Sequence, residues 1–230
     1  KRTMKKLTKA IALAGVMTTG LTGAQLAQAE VDVSASAAVA SMYLWRGLDL
    51  GNGDAAVSGD ITLSSGGAYA GMWTSSGDSA AGNEYDLYVG YGGEMEGFSY
   101  DVSVLTYVYP SAGNFEEDAD TSGNTFDLSE LIASVGYMGA SFSYYYPLAG
   151  DGNDDYSYMT LGYGMGAYSA TVGISDDNED NEDNIYTHVD LSYAYTDSLA
   201  FTVSKVVSAE LDETEDDTKF VVSYSLPIDL

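Results

Sequence analysis

The stretch that decides the fold is residues 31–47, VDVSASAAVASMYLWRG. Val31, Val33, Ala35, Ala37, Val39, Tyr43 and Trp45 share one parity, while Asp32, Ser34, Ser36, Ala38 and Ala40 share the other. Side chains alternate across a strand with a period of two, so this segment has one apolar face and one small or polar face. It predicts a strand over 31–46, longer than usual, ending in an aromatic pair, an arginine and a flexible acidic turn.

Upstream, Lys1, Arg2, Lys5, Lys6 and Lys9 form a basic head, Ile11 to Met17 a short apolar core, and Ala27-Gln28-Ala29 a small-x-small site. That order predicts a secretory signal peptide over 1–29. Thr18, Thr19, Gly20, Thr22 and Gly23 interrupt the apolar run far short of the roughly 20 residues of a membrane-spanning helix. The remaining 30–230 is expected to be one domain.

The chain holds 8 Lys and Arg against 35 Asp and Glu, and five of the cations fall in the leader. Arg46, Lys205 and Lys219 are then left to face all 35 acids. Like-charge repulsion excludes nucleic acid as a partner. With no cysteine, neither a disulfide framework nor a thiolate metal site can form. The 26 glycines, 20 tyrosines and only 3 prolines, with short alternating runs and no sustained helical period, point to an all-β chain.

The same alternation recurs near 55–64, 67–75, 84–92, 97–109, 126–138, 140–148, 155–163, 167–175, 184–195, 198–208 and 218–227. With the first segment, that predicts twelve strands. The connections alternate between long acidic ones and short, mostly glycine-containing ones, such as Ser65-Gly66 and Gly139. A meander with its long loops at one end and tight turns at the other is the pattern of a transmembrane up-and-down antiparallel β-barrel in an outer membrane. A Greek-key sandwich gives no reason for such sorting.

The faces carry the same expectation. Tyr85, Leu87, Val89 and Tyr91 form an apolar row, opposed by Asp86 and Gly90; Phe98, Tyr100, Val102 and Val104 form another, opposed by Ser99, Asp101 and Ser103. Aromatics are expected in two belts, Tyr43, Trp45, Trp73, Tyr85, Tyr107 and Tyr109 at the outer rim and Tyr91, Phe98, Tyr100, Tyr137, Tyr163, Tyr168, Tyr193, Tyr195, Phe201 and Tyr224 at the periplasmic rim. In 126–138 the apolar parity switches near Glu130-Leu131, which suggests a β-bulge.

At Met42-Tyr43-Leu44-Trp45-Arg46-Gly47-Leu48-Asp49, followed by Gly67-Ala68-Tyr69-Ala70-Gly71-Met72-Trp73, the chain resembles the TorF family of porins from Gram-negative outer membranes, over about residues 31–110. That resemblance implies an outer-membrane barrel and a pore role.

Arg46, opposite in parity to Tyr43 and Trp45, is expected to face the lumen near the outer mouth. With inward Asp60, Asp86, Asp101 and Asp190 it would set the field of a pore; the plainer role is to cap a strand and anchor its first loop. An excess of inward carboxylates favours cations over anions. The expected function is passive passage of small solutes or cations; the alternative is a structural or surface-interaction barrel with a blocked lumen and acidic ion- or partner-binding loops. Outer-membrane lipid and lipopolysaccharide are the expected surroundings.

Two further patterns fall short. Asp176, Asn178 and Asp180 have the first spacings of an EF-hand loop, but Asn181 stands where glycine is needed and Thr187 where a bidentate glutamate is needed. His188 and Asp190 share a face, yet no serine is singled out to complete a hydrolase triad. No catalytic residue, cofactor or metal site is therefore expected.

Overall fold

The computed structural model describes residues 31–110, 128–149, 156–177, 185–209, 216–228 and 230. The expected leader and most of the expected EF-hand-like run, 178–184, lie outside them. The strands are β1 (Asp32–Ala40), a small hairpin of β2 (Leu44–Trp45) and β3 (Leu48–Asp49), then β4 (Ala56–Ser65), β5 (Ala68–Asp78), β6 (Gly82–Met95) and β7 (Phe98–Val108). There follow β8 (Leu128–Tyr137), β9 (Ala140–Ala149), β10 (Tyr156–Met165), β11 (Tyr168–Asp177), β12 (Tyr186–Ala194), β13 (Leu199–Ala209) and β14 (Lys219–Ile228).

All but β2 and β3 form one closed barrel of twelve strands, with β1 antiparallel to both β4 and β14. The fold is all-β, and closure leaves no free sheet edge. Tight turns gather at one end because their backbones are specified locally. Glu96-Gly97 and Met138-Gly139 both take positive φ at two successive residues, the geometry that matches the twist of a two-residue hairpin.

The outer face is apolar and the inner wall polar. On β6, Val89 is 58% exposed to the exterior, whereas Asp86, of opposite parity, is 3% exposed. Leu161, Val102, Leu191 and Phe220 continue the exterior band, while Ser103, Ser143, Thr160, Thr202 and Ser223 are buried on the inner side. Water cannot be the solvent of such an exterior, since burying the apolar surface in lipid is what would stabilise it.

Three expectations need correction. The first strand does not run to 46. It leaves the barrel after Ala40, where Ser41 closes the edge with two hydrogen bonds to Val222. Trp45 and Leu48 then pair across Arg46-Gly47, both with positive φ, and make a separate hairpin. Most of the aromatics expected in the outer belt are placed elsewhere as well: Tyr43 is buried, Tyr107 and Tyr109 hydrogen-bond inner-wall carboxylates, and Trp73 stands in register between the inward Asp60 and Asp86, whereas Tyr85 is exposed on the exterior. All ten aromatics expected at the tight-turn end are exposed on the exterior, where Phe98 stacks on Tyr137 and Tyr168 on Tyr193. Finally, the apolar face of β8 does not switch. The bulge is in its neighbour β9, where Ser129 pairs with Ala149 but Glu130 with Pro147, leaving Leu148 extra. Glu130 and Ile132 stay inward.

Candidate functional site

The β2–β3 hairpin does not extend into solvent. It folds into the barrel and reaches the far wall. In a ring of twelve, β9 is six strands from β1 in either direction, and the hairpin tip meets β8, β9 and β10. Arg46 Nη2 donates to Glu130 Oε1 at 2.9 Å and to Oε2 at 2.7 Å, and both side chains are almost completely buried. Tyr107 donates to the same carboxylate at 2.7 Å and accepts from Arg46 at 3.2 Å.

Three rings surround the guanidinium. Its Cζ is 4.5 Å from the centroid of Trp45, 4.7 Å from Tyr145 and 4.3 Å from Tyr158. Planar, weakly hydrated arginine suits this arrangement better than lysine, because it stacks on rings while its edge satisfies a carboxylate.

Next to the tip, Tyr158 is hydrogen-bonded to His188 Nε2 at 2.8 Å, and His188 Nδ1 is 3.2 Å from Asp190. Gly47 presses against this histidine: a Cβ there would come within 2.6 Å of His188 Cβ and Cγ. At the base of the hairpin, Tyr43 donates to Glu84 Oε2 and Tyr109 to Glu84 Oε1 at 2.9 Å. Burial first, and then the charge of Glu84, push both phenols well above their ordinary value, which keeps them protonated as donors. Leu50 and Ser79 join the hairpin base to the β5–β6 connection.

The hairpin thus docks on Glu84, Glu130 and His188, and each is beside a register shift. The irregularities fall between Ser75 and Asp78, opposite Glu84; between Ser129 and Glu130; and between Thr187 and His188. A bulge bends its strand and re-aims the side chains around it. Here three bulges at the long-loop end turn the wall toward one inserted element.

Of the residues expected to line a pore, Asp60, Asp86, Asp101 and Asp190 all have inward parity, but the barrel does not bring them into a single ring. Ser36 donates to Asp60, Tyr69 donates to both oxygens of Asp101 at 2.9 and 2.8 Å, Asp190 meets His188, and Asp86 lies beside Glu84. Arg46 is not on the wall at all; it comes from the inserted tip and binds Glu130. Glu84 and Glu130 were not among the expected residues. Glu84 has the parity of Asp86, and Glu130 was the very residue at which the β8 pattern looked inconsistent.

Toward the tight-turn end the lumen wall carries hydroxyl pairs, Ser134 bonded to Ser143 at 2.8 Å and Ser192 to Thr202 at 2.9 Å, beside the Tyr69–Asp101 and Thr62–Tyr88 contacts. Among the described residues no group of three or more His, Cys, Asp or Glu side chains is placed to hold a metal ion.

Among solved structures, the chain is similar in fold to outer membrane phospholipase A from Escherichia coli, at 12% identity and a TM-score of 0.42, over 84% of this chain and 91% of that one. No curated protein sequence matches it. The model of the family described as a bacterial protein of unknown function (Gcw_chp) matches residues 24–224, and the chain belongs to that family.

Proposed function

We propose that this protein is an outer-membrane channel for small solutes or ions, weakly selective for cations, and that the in-folded hairpin is its constriction. The observation that carries the reading is the combination of an apolar exterior with an acidic inner wall. Asp60, Glu84, Asp86, Asp101, Glu130 and Asp190 have inward parity, against Arg46 and Lys219 among the described residues. Fixed negative charge in a low-dielectric tube raises the local cation concentration and opposes anions.

Twelve strands stand between eight-stranded barrels, filled by their own side chains, and those of sixteen or more, which hold an aqueous channel. A hairpin reaching the far wall reduces the free section further. Narrow passage is the expectation, and large solutes are disfavoured. The same crossing favours a second reading, a closed structural barrel whose acidic loops meet ions or partners.

Single-channel recording of the refolded protein in a planar bilayer, under a salt gradient, separates the two. Discrete steps with a cation-directed reversal potential support the channel. A folded, heat-modifiable barrel that passes no current, both intact and with residues 43–50 replaced by a short glycine-serine loop, would overturn it. An anion-directed potential would remove the selectivity.

A further inference from the structure

We propose that Glu130, Tyr107, Tyr145 and Tyr158 form a socket on the inner wall for a planar organic cation of the guanidinium class, and that Arg46 occupies it as a built-in competitor. The binding stands apart from the channel reading. Its consequence, that such a cation is a solute the barrel admits, rests on that reading.

The socket is built without the hairpin. Its four side chains come from four consecutive strands of the wall, β7 to β10. Tyr107 donates to Glu130 Oε2 at 2.7 Å, and the rings of Tyr145 and Tyr158 stand 5.3 Å apart at a 57° tilt, forming a corner. Tyr158 is bonded in turn to His188, and His188 to Asp190, so the wall fixes one side of the corner from behind. The hairpin supplies what fills the socket. It is a separate sheet of two residue pairs, Leu44 with Asp49 and Trp45 with Leu48, and is no part of the barrel ladder.

The occupant identifies the chemistry. Arg46 places one edge nitrogen on both oxygens of Glu130, at 2.9 and 2.7 Å, with its Cζ 4.7 Å and 4.3 Å from the centroids of Tyr145 and Tyr158. A carboxylate beside two ring faces suits a flat, weakly hydrated cation that stacks and donates at once; a compact, strongly hydrated ammonium does this less well. Glu130 is 2% exposed, so departure of Arg46 alone would strand a buried charge. Replacement of one guanidinium by another avoids that cost. A tethered group acts at an effective concentration on the order of millimolar, which sets the range in which a free guanidinium competes. Displacement of Arg46 would free the hairpin tip from the far wall, so the cation widens its own path.

The test uses the refolded full barrel in detergent micelles, in the Trp73→Phe background, titrated with methylguanidinium chloride. Methylammonium chloride and sodium chloride at matched ionic strength are the references. Trp45 lies against the Arg46 guanidinium, so its emission reports displacement. A saturable red shift in the millimolar range, specific to methylguanidinium, is expected. Arg46→Lys weakens the resident competitor, and half-saturation should fall about tenfold. Heat modifiability on a gel reports that this variant folds, and equilibrium dialysis of labelled methylguanidinium reads the same affinity where its Trp45 already emits as released. A parent barrel with no methylguanidinium-specific shift overturns the proposal. So does an unchanged half-saturation in folded Arg46→Lys, which would mean binding by the acidic loops.

Bilayer recording keeps the two ideas apart. A barrel that never conducts, yet shows the Trp45 response and its Arg46→Lys shift, removes the channel and retains the socket. Cation-selective steps without a Trp45 response to methylguanidinium remove the socket and retain the channel.

Discussion

Arg46 and Glu130 stand 84 residues apart in the chain, yet their charged groups meet at 2.7 Å inside the barrel. One comes from a hairpin rooted at β1 and the other from the opposite wall, so this contact records the crossing of the lumen. Breaking a buried pair on one side leaves the other charge stranded. Arg46→Ala should cost about 3–5 kcal/mol in urea unfolding from micelles, and Glu130→Gln less, because an amide still accepts from Arg46 and Tyr107. The two losses should be strongly non-additive in a double-mutant cycle; additive losses would mean that the pair does not hold the hairpin.

The turn beside Arg46 offers a gentler way to release the hairpin. Gly47 has φ near +84°, and an added methyl would meet His188. Gly47→Ala should weaken docking by about 1–3 kcal/mol while leaving the barrel closed. Trp45 and Trp73 are the two tryptophans in the chain, so a Trp73→Phe background isolates the emission of Trp45. A red shift on Gly47→Ala, with unchanged barrel melting, is the expected result.

The barrel was legible in the sequence for a physical reason. Each strand's alternation is local: Tyr85, Leu87, Val89 and Tyr91 against Asp86 and Gly90 needs no knowledge of distant residues. The tight turns are local too. Docking of the hairpin is not. Tyr43 and Trp45 continue the parity of Val39, and only partners such as Glu84, 41 residues from Tyr43, determine that they turn inward. Tyr107 was misplaced for another reason: its parity matches Asp101 and Ser103, but its position near the strand end suggested a belt.

The exterior band tests the membrane placement directly. Val89, near the middle of β6, faces outward, and Val89→Lys should cost about 2–4 kcal/mol if it sits near the bilayer midplane. On the inner wall, Thr171 is in register with Asp190. Thr171→Lys should therefore be tolerated, its ammonium facing a carboxylate. Folding yield into lipid vesicles measures both. Equal yields for the two variants would argue against an apolar exterior in lipid.

The hairpin base should respond to alkali. Tyr43 and Tyr109 have phenols raised above the ordinary 10.0, by burial and then by Glu84, and both donate to that carboxylate. A raised value means that the docked form keeps a proton which the released form gives up. The stabilisation is thus complete below about pH 10 and is lost progressively as pH rises above it. Protease cleavage within 43–50 should accelerate between about pH 10 and 11.5, with the barrel intact. Tyr43→Phe with Tyr109→Phe removes the titrating groups, so its cleavage should be faster at pH 8 and nearly flat with pH. A double variant with the same alkaline rise as the parent would assign the transition to other groups and detach it from Glu84.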